Sequence, residues 1–200
     1  MRSLTGGPEQ REKQRWSVVG YVIVPGIGGS DDAHWQTRWE QQWGDETAVR
    51  IEPGSWSQPH LQDWVGAIAR AFEAVRSRCD GVVLITHSLG CWAAAEWLQQ
   101  GNHRHPRGAL LVAPPDPTDE AFPADAAPTF LSVAAHPLRC PSVVVASTND
   151  PYCDLRVAEE LARSWGSDLQ VAGALGHLNS ASGLGEWPAG REVLDRLVSL

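Results

Sequence analysis

The 200-residue chain is poor in basic residues, in metal-ligand spacings and in long apolar runs. Lys and Arg total 16 against 24 Asp and Glu, a formal charge of -8. Nucleic acids and anionic membranes are bound by exchanging counterions for a basic face, so this balance argues against both as partners. No run of about 18 uncharged apolar residues occurs, so no membrane-spanning helix is expected. Cys79, Cys91, Cys140 and Cys153 show no C-x-x-C spacing, and no two histidines have H-x-x-x-H spacing; no metal site is expected. A chain of this size has no need of disulfide staples, so its thiols are expected to be free in a reducing compartment. The opening MRSLTGGPEQREKQR has no apolar h-region. Residues 1–15 are therefore expected to be a flexible leader, residues 16–200 one domain, and the location cytoplasmic.

What is present is a rhythm. Short apolar, β-branched runs at 18–24, 48–51, 82–85, 109–113, 143–146 and 169–171 are nearly continuous, as in strands covered on both faces. Helical spacing fills the gaps: Trp35, Trp39 and Trp43 behind the capping candidates Ser30 and Asp31, then Leu61 to Val75, 89–100, Leu155 to Ala162, and 191–198. Alternating strands and helices predict an α/β fold, a three-layer α/β/α sandwich with about six mostly parallel strands. Residues 114–128 break the rhythm with five prolines. They are expected to form a surface loop beyond a strand's carboxyl end, as a lid or a pocket wall.

The chemistry concentrates at GVVLITHSLGCW (81–92), where a buried strand turns into a helix at Ser88. That is the context of a nucleophile elbow, although Thr86 stands where G-x-S-x-G has its first glycine. A serine needs a base, and the base needs an orienting acid. Asp150 follows the strand at 143–146 and His177 follows the strand at 169–171, in the chain order Ser, acid, His. Ser88, Asp150 and His177 are thus the candidate catalytic residues. A tetrahedral oxyanion also needs two donors. The glycine-rich PGIGGS (25–30) offers the N–H of Ile27, and the residue after the nucleophile offers that of Leu89. PGIGGS lacks the P-loop lysine and the G-x-G-x-x-G spacing, so nucleotide binding is not expected.

Gly26, His34, Trp35, His87 and Trp187 are candidates for lining the pocket. His60, His103, His105 and His136 lie in polar or proline-flanked segments and are expected at the surface. The Trp35, Trp39, Trp43 stripe is expected to pack a helix on the sheet. Packing is also expected of Cys91 and Cys153, Cys153 being the better placed to react.

These segments resemble the small serine-hydrolase family typified by retinoblastoma-binding protein 9, within the α/β-hydrolase superfamily. The resembling stretches are VPGIGGS followed by AHWQTRWE (24–40), THSLGC (86–91), STNDPYC (147–153) with LA and WGS (161–167), and GHLNSASGLGEWP (176–188). The resemblance implies a minimal α/β-hydrolase fold without a large cap, with Ser88 as nucleophile, Asp150 as acid and His177 as base. The expected activity is carboxylesterase-like: cleavage of a small-molecule acyl substrate, an ester or else an amide or thioester, through an acyl-serine. No cofactor is called for. Acyl transfer by the same triad and a non-catalytic interaction module on this scaffold stay open, and no protein partner is indicated.

Overall fold

The six runs become six parallel strands; the interior ones are buried on both faces and so are nearly continuous in apolar residues, whereas the two edge strands are partly exposed. The computed structural model describes residues 18–101 and 105–199; the leader expected at 1–15 and His103 lie outside them. The strands are β1 (Val19–Val24), β2 (Ala48–Arg50), β3 (Gly81–His87), β4 (Gly108–Val112), β5 (Ser142–Ala146) and β6 (Asp168–Val171), in the sheet order β2-β1-β3-β4-β5-β6. Every described pairing is parallel. Five α-helices connect or follow them: α1 (Trp35–Trp43), α2 (Leu61–Arg76), α3 (Leu89–Gln99), α4 (Leu155–Trp165) and α5 (Pro188–Val198). None among the described residues is long and apolar enough to cross a membrane.

The strand order reverses between β1 and β3, the point where open α/β sheets open a crevice beyond their carboxyl ends. Register pairs Val24 with Thr86 there, so the loops leaving β1 and β3 emerge side by side. One face of the sheet is covered by α2, α3 and α4, whose Trp64, Phe72, Trp97 and Trp165 share a core with Val22, Leu84 and Leu111. On the other face α1 and α5 bury Trp35, Trp39 and Leu194 against Ile23, Ile85 and Val112.

Two helix starts differ from expectation. His34, and neither Ser30 nor Asp31, caps α1: its Nδ1 accepts the Gln36 N–H at 3.2 Å. Asp31 instead accepts the Ala33 N–H at 2.9 Å and so caps its own turn, which delays the helix by several residues. Helix α5 begins at Pro188 rather than at 191, since proline's fixed φ suits the first helical position.

The tryptophan stripe is core, as its spacing predicts. Trp35 and Trp39 meet edge to face at 4.7 Å, and Trp39 stacks on Trp187 at 5.8 Å. Trp35 and Trp187 therefore do not line the pocket: both are buried in this aromatic core. A helical side chain one residue from a site residue points about 100° away from it, which carries Trp35 off the wall that His34 occupies.

Candidate active site

Ser88 sits between β3 and α3 with φ 54° and ψ -128°, a backbone region costly for any residue with a Cβ. The strain persists because the surroundings over-determine the turn. Its N–H donates to Val112 O of the neighbouring strand at 2.9 Å. Gly90, in the first turn of α3, lies so close to β1 that an added Cβ would strike the carbonyl oxygens of Val24 and Pro25. Thr86 does not loosen the elbow. Its hydroxyl turns into the core, donating to Leu110 O at 3.0 Å with Cys91 Sγ 3.1 Å away, while Gly90 makes the close approach to β1.

The three candidate catalytic side chains converge. His177 Nε2 lies 2.9 Å from Ser88 Oγ, and His177 Nδ1 lies 2.9 Å from both Asp150 oxygens. A carboxylate only accepts, so Nδ1 carries the proton and Nε2 is left to accept the Ser88 hydroxyl. Asp150 is braced by the Tyr152 N–H at 3.0 Å, and its side chain is 3% exposed. The loops after β5 and β6 are tied together: Asn149 Oδ1 accepts the Gly176 N–H at 2.7 Å, and Ser147 Oγ accepts that of Leu175 at 2.9 Å.

The backbone at His177 is gripped from the core. His87 Nε2 donates to His177 O at 2.9 Å, and Trp35 Nε1 donates to Leu178 O at 2.8 Å. Both carbonyls can only accept, so the His87 proton resides on Nε2. These bonds hold Leu178 at φ 50° while its side chain is fully buried. Burial, then the neighbouring His177 and His34, pushes the His87 imidazole well below the ordinary histidine range. Burial likewise lowers His34 to about 4, so both rings are neutral at pH 7.

Leu89 is the first residue of α3, and its N–H has no intrahelical acceptor. In the loop after β1, Gly28 donates to Trp56 O and Gly29 to Gly26 O, leaving the Ile27 N–H uncommitted among the described residues. Gly26 is packed so closely that an added Cβ would stand 2.7 Å from Ser88 Cβ.

Above Ser88 lies a cavity of about 460 Å³ whose lining includes the lining candidates Gly26, His34 and His87, together with Ile27 and His177. Pro115 and Pro123 of the proline-rich loop form part of the wall. Tyr152, Asp31 and Ser180 also line it and were not singled out by sequence. Tyr152 meets the His177 ring edge-on at 4.6 Å, and its place two residues after Asp150 was the available signal. His60, His105 and His136 are exposed, as expected. Cys153 is buried in the core, the packing role expected of it, and burial raises its thiol to about 12. All four cysteines are unpaired.

A family model described as serine hydrolase matches residues 21–196. The chain is 36% identical to a YdeN-like hydrolase from Pectobacterium atrosepticum over 91% of each chain, with a TM-score of 0.76. It is 21% identical to the ydeN gene product of B. subtilis over 92% of this chain and 100% of that one, with a TM-score of 0.68. A structure from a study of the metagenome-derived lipolytic enzymes LipS and LipT shares the fold at 15% identity, a TM-score of 0.65 and coverage of 92% and 95%. No curated protein matches.

Proposed function

The chain belongs to the serine hydrolase family, with an α/β-hydrolase fold, and from that premise we propose that it hydrolyses small carboxylic esters through an acyl-serine. The observation carrying this reading is the 2.9 Å contact of Ser88 Oγ with His177 Nε2, backed by Asp150, at a strained strand-to-helix turn. His177 Nε2 takes the Ser88 proton as Oγ attacks the acyl carbon. Asp150 keeps the imidazole in the Nδ1–H tautomer and stabilises the imidazolium. The N–H groups of Leu89 and Ile27 meet the tetrahedral oxyanion. Collapse expels the alcohol, which takes the proton from His177. Water, deprotonated by the same nitrogen, then attacks the acyl carbon, and the second collapse returns Ser88 and releases the acid.

Within the family we place the protein with the small hydrolases typified by retinoblastoma-binding protein 9, on the stretches at 24–40, 86–91, 147–153 and 176–188. Four unpaired thiols support a cytoplasmic location, and the net charge of -8 supports a small-molecule substrate rather than a nucleic acid.

Labelling by a fluorophosphonate probe tests the reading. Wild type takes the label, and folded Ser88→Ala does not. Ester turnover in Ser88→Ala and His177→Ala drops about 10³-fold or more. Undiminished turnover in a folded Ser88→Ala variant would overturn it.

A further inference from the structure

The cavity above Ser88 carries charge of one sign. Among the described residues no lysine or arginine lines it, and Asp31 is the one aspartate or glutamate in its wall. Asp31 is held as a carboxylate: the Ser180 hydroxyl donates to it at 2.7 Å and the Ala33 N–H at 2.9 Å, which together keep it below the ordinary carboxylate range. The loop over 114–128, which supplies Pro115 and Pro123 to the wall, contains Asp116, Asp119, Glu120 and Asp125 in its sequence and no basic residue. Asp150 adds a buried carboxylate behind His177.

Among the described residues nothing in the wall offsets the charge of Asp31. His34 and His87 are neutral because they are buried. Arg50, whose positive charge reaches His34, is already bound to Glu40 through Nε at 2.8 Å and to Ser30 O through Nη1 at 2.9 Å. Like charge at the mouth of a low-dielectric cleft repels ligands of the same sign and disfavours their desolvation.

We propose that this site takes uncharged acyl groups and rejects anionic ones, with Asp31 setting the discrimination. The inference rests on the ester-hydrolase reading and narrows it. Acyl chains ending in a carboxylate and acyl carriers bearing phosphates are poor substrates, whereas neutral esters of matching length are accepted. A deacylase for phosphate-bearing thioesters would need the opposite lining, since such carriers are met by arginine and lysine.

The test uses two esters of one length, the 4-nitrophenyl half-ester of adipic acid, which keeps a free carboxylate, and its methyl-capped counterpart. At about 10 mM salt, kcat/KM for the capped ester exceeds that for the half-ester by about 20-fold, and the gap narrows in about 0.5 M salt. Asp31→Asn keeps acceptors for Ala33 and Ser180 and removes the charge. It shifts the half-ester to capped-ester ratio about fivefold in favour of the half-ester. Equal use of the two esters by an enzyme that takes the fluorophosphonate label refutes this inference and leaves the hydrolase reading standing. A ratio indifferent to both salt and Asp31→Asn does the same. A folded chain that neither takes the label nor cleaves either ester loses both.

Discussion

Gly66 and Gly90 both lie inside helices, and replacing each by alanine changes stability in opposite directions. At Gly66, in α2, the nearest atom to an added Cβ is Arg70 Nη1 at 3.5 Å, an ordinary van der Waals contact with the end of a long side chain whose Nη2 donates to Glu52 O at 3.1 Å. Alanine there gains helix propensity and restricts the unfolded chain, a stabilisation of about 0.5–1 kcal/mol. At Gly90 the obstacles are Val24 O and Pro25 O, with Val24 C at 3.0 Å. These are backbone atoms, and Val24 is the last residue of an interior strand paired on β3, so they cannot swing aside. With contacts to backbone at the upper part of the overpacking range, about 2–3 kcal/mol, the cost outweighs a propensity gain of up to about 1 kcal/mol and leaves a net loss of about 1–2 kcal/mol. For a chain of this length each kcal/mol moves Tm by about 2–4 °C, so Gly66→Ala melts about 1–4 °C higher and Gly90→Ala about 2–8 °C lower. Pushing α3 off β1 also separates the Leu89 and Ile27 N–H groups, and kcat/KM for an ester falls about 100-fold. Urea unfolding, calorimetry and nitrophenyl ester turnover read the three effects. A Gly90→Ala protein as stable and active as wild type would refute the close approach as the constraint on the elbow.

His87 positions His177 through its carbonyl, so His87→Phe, which keeps a ring and loses the donor, lowers kcat about tenfold or more with KM nearly constant. His87→Gln recovers part of that loss. A variant pair with equal kcat sinks this role. Unfolded His34 titrates near 6.5 and folded His34 near 4, so between those values the unfolded state binds more protons. Stability from this group is complete above pH 6.5 and falls as pH drops towards 4, by up to about 3 kcal/mol. His34→Asn, which can still cap α1, flattens that slope in denaturant titrations across this window. Cys91, Cys140 and Cys153 are all raised to about 12 by burial, so the native protein reacts slowly with a disulfide reagent and the urea-unfolded protein rapidly. Fast native modification at Cys153 contradicts this.

Legibility in the sequence followed the range of the interaction. The run VVLI (82–85) is apolar at every position because β3 lies between β1 and β4 with helices over both faces, and an interior strand announces itself. The convergence of Ser88, Asp150 and His177 was legible because each lies in the segment that leaves the carboxyl end of a strand, and strand ends converge in a parallel sheet. The cap of α1 was not. Ser30 and Asp31 have favourable cap chemistry, yet the glycine turn and Asp31's own bond to Ala33 consumed those residues, and a histidine took over. The Asp31–Ser180 hydrogen bond joins residues 149 apart, a distance that no local pattern reports. Trp35 and Trp187 flank motif residues in sequence, but side-chain direction is set by helix phase and by the turn before α5, not by adjacency.

The strand order also has a consequence in time. After β4, the sheet grows outward by one strand at a time, β5 and then β6, and the loops beyond those last two strands hold Asp150 and His177. A chain emerging from the ribosome presents Ser88 on β3 well before either residue exists. On the proposed assignment that serine is unactivated throughout this interval, and it is first met by a base when residue 177 docks against the His87 donor. On that assignment a chain that has not yet reached residue 177, or is truncated before it, is chemically silent towards the acyl compounds around it.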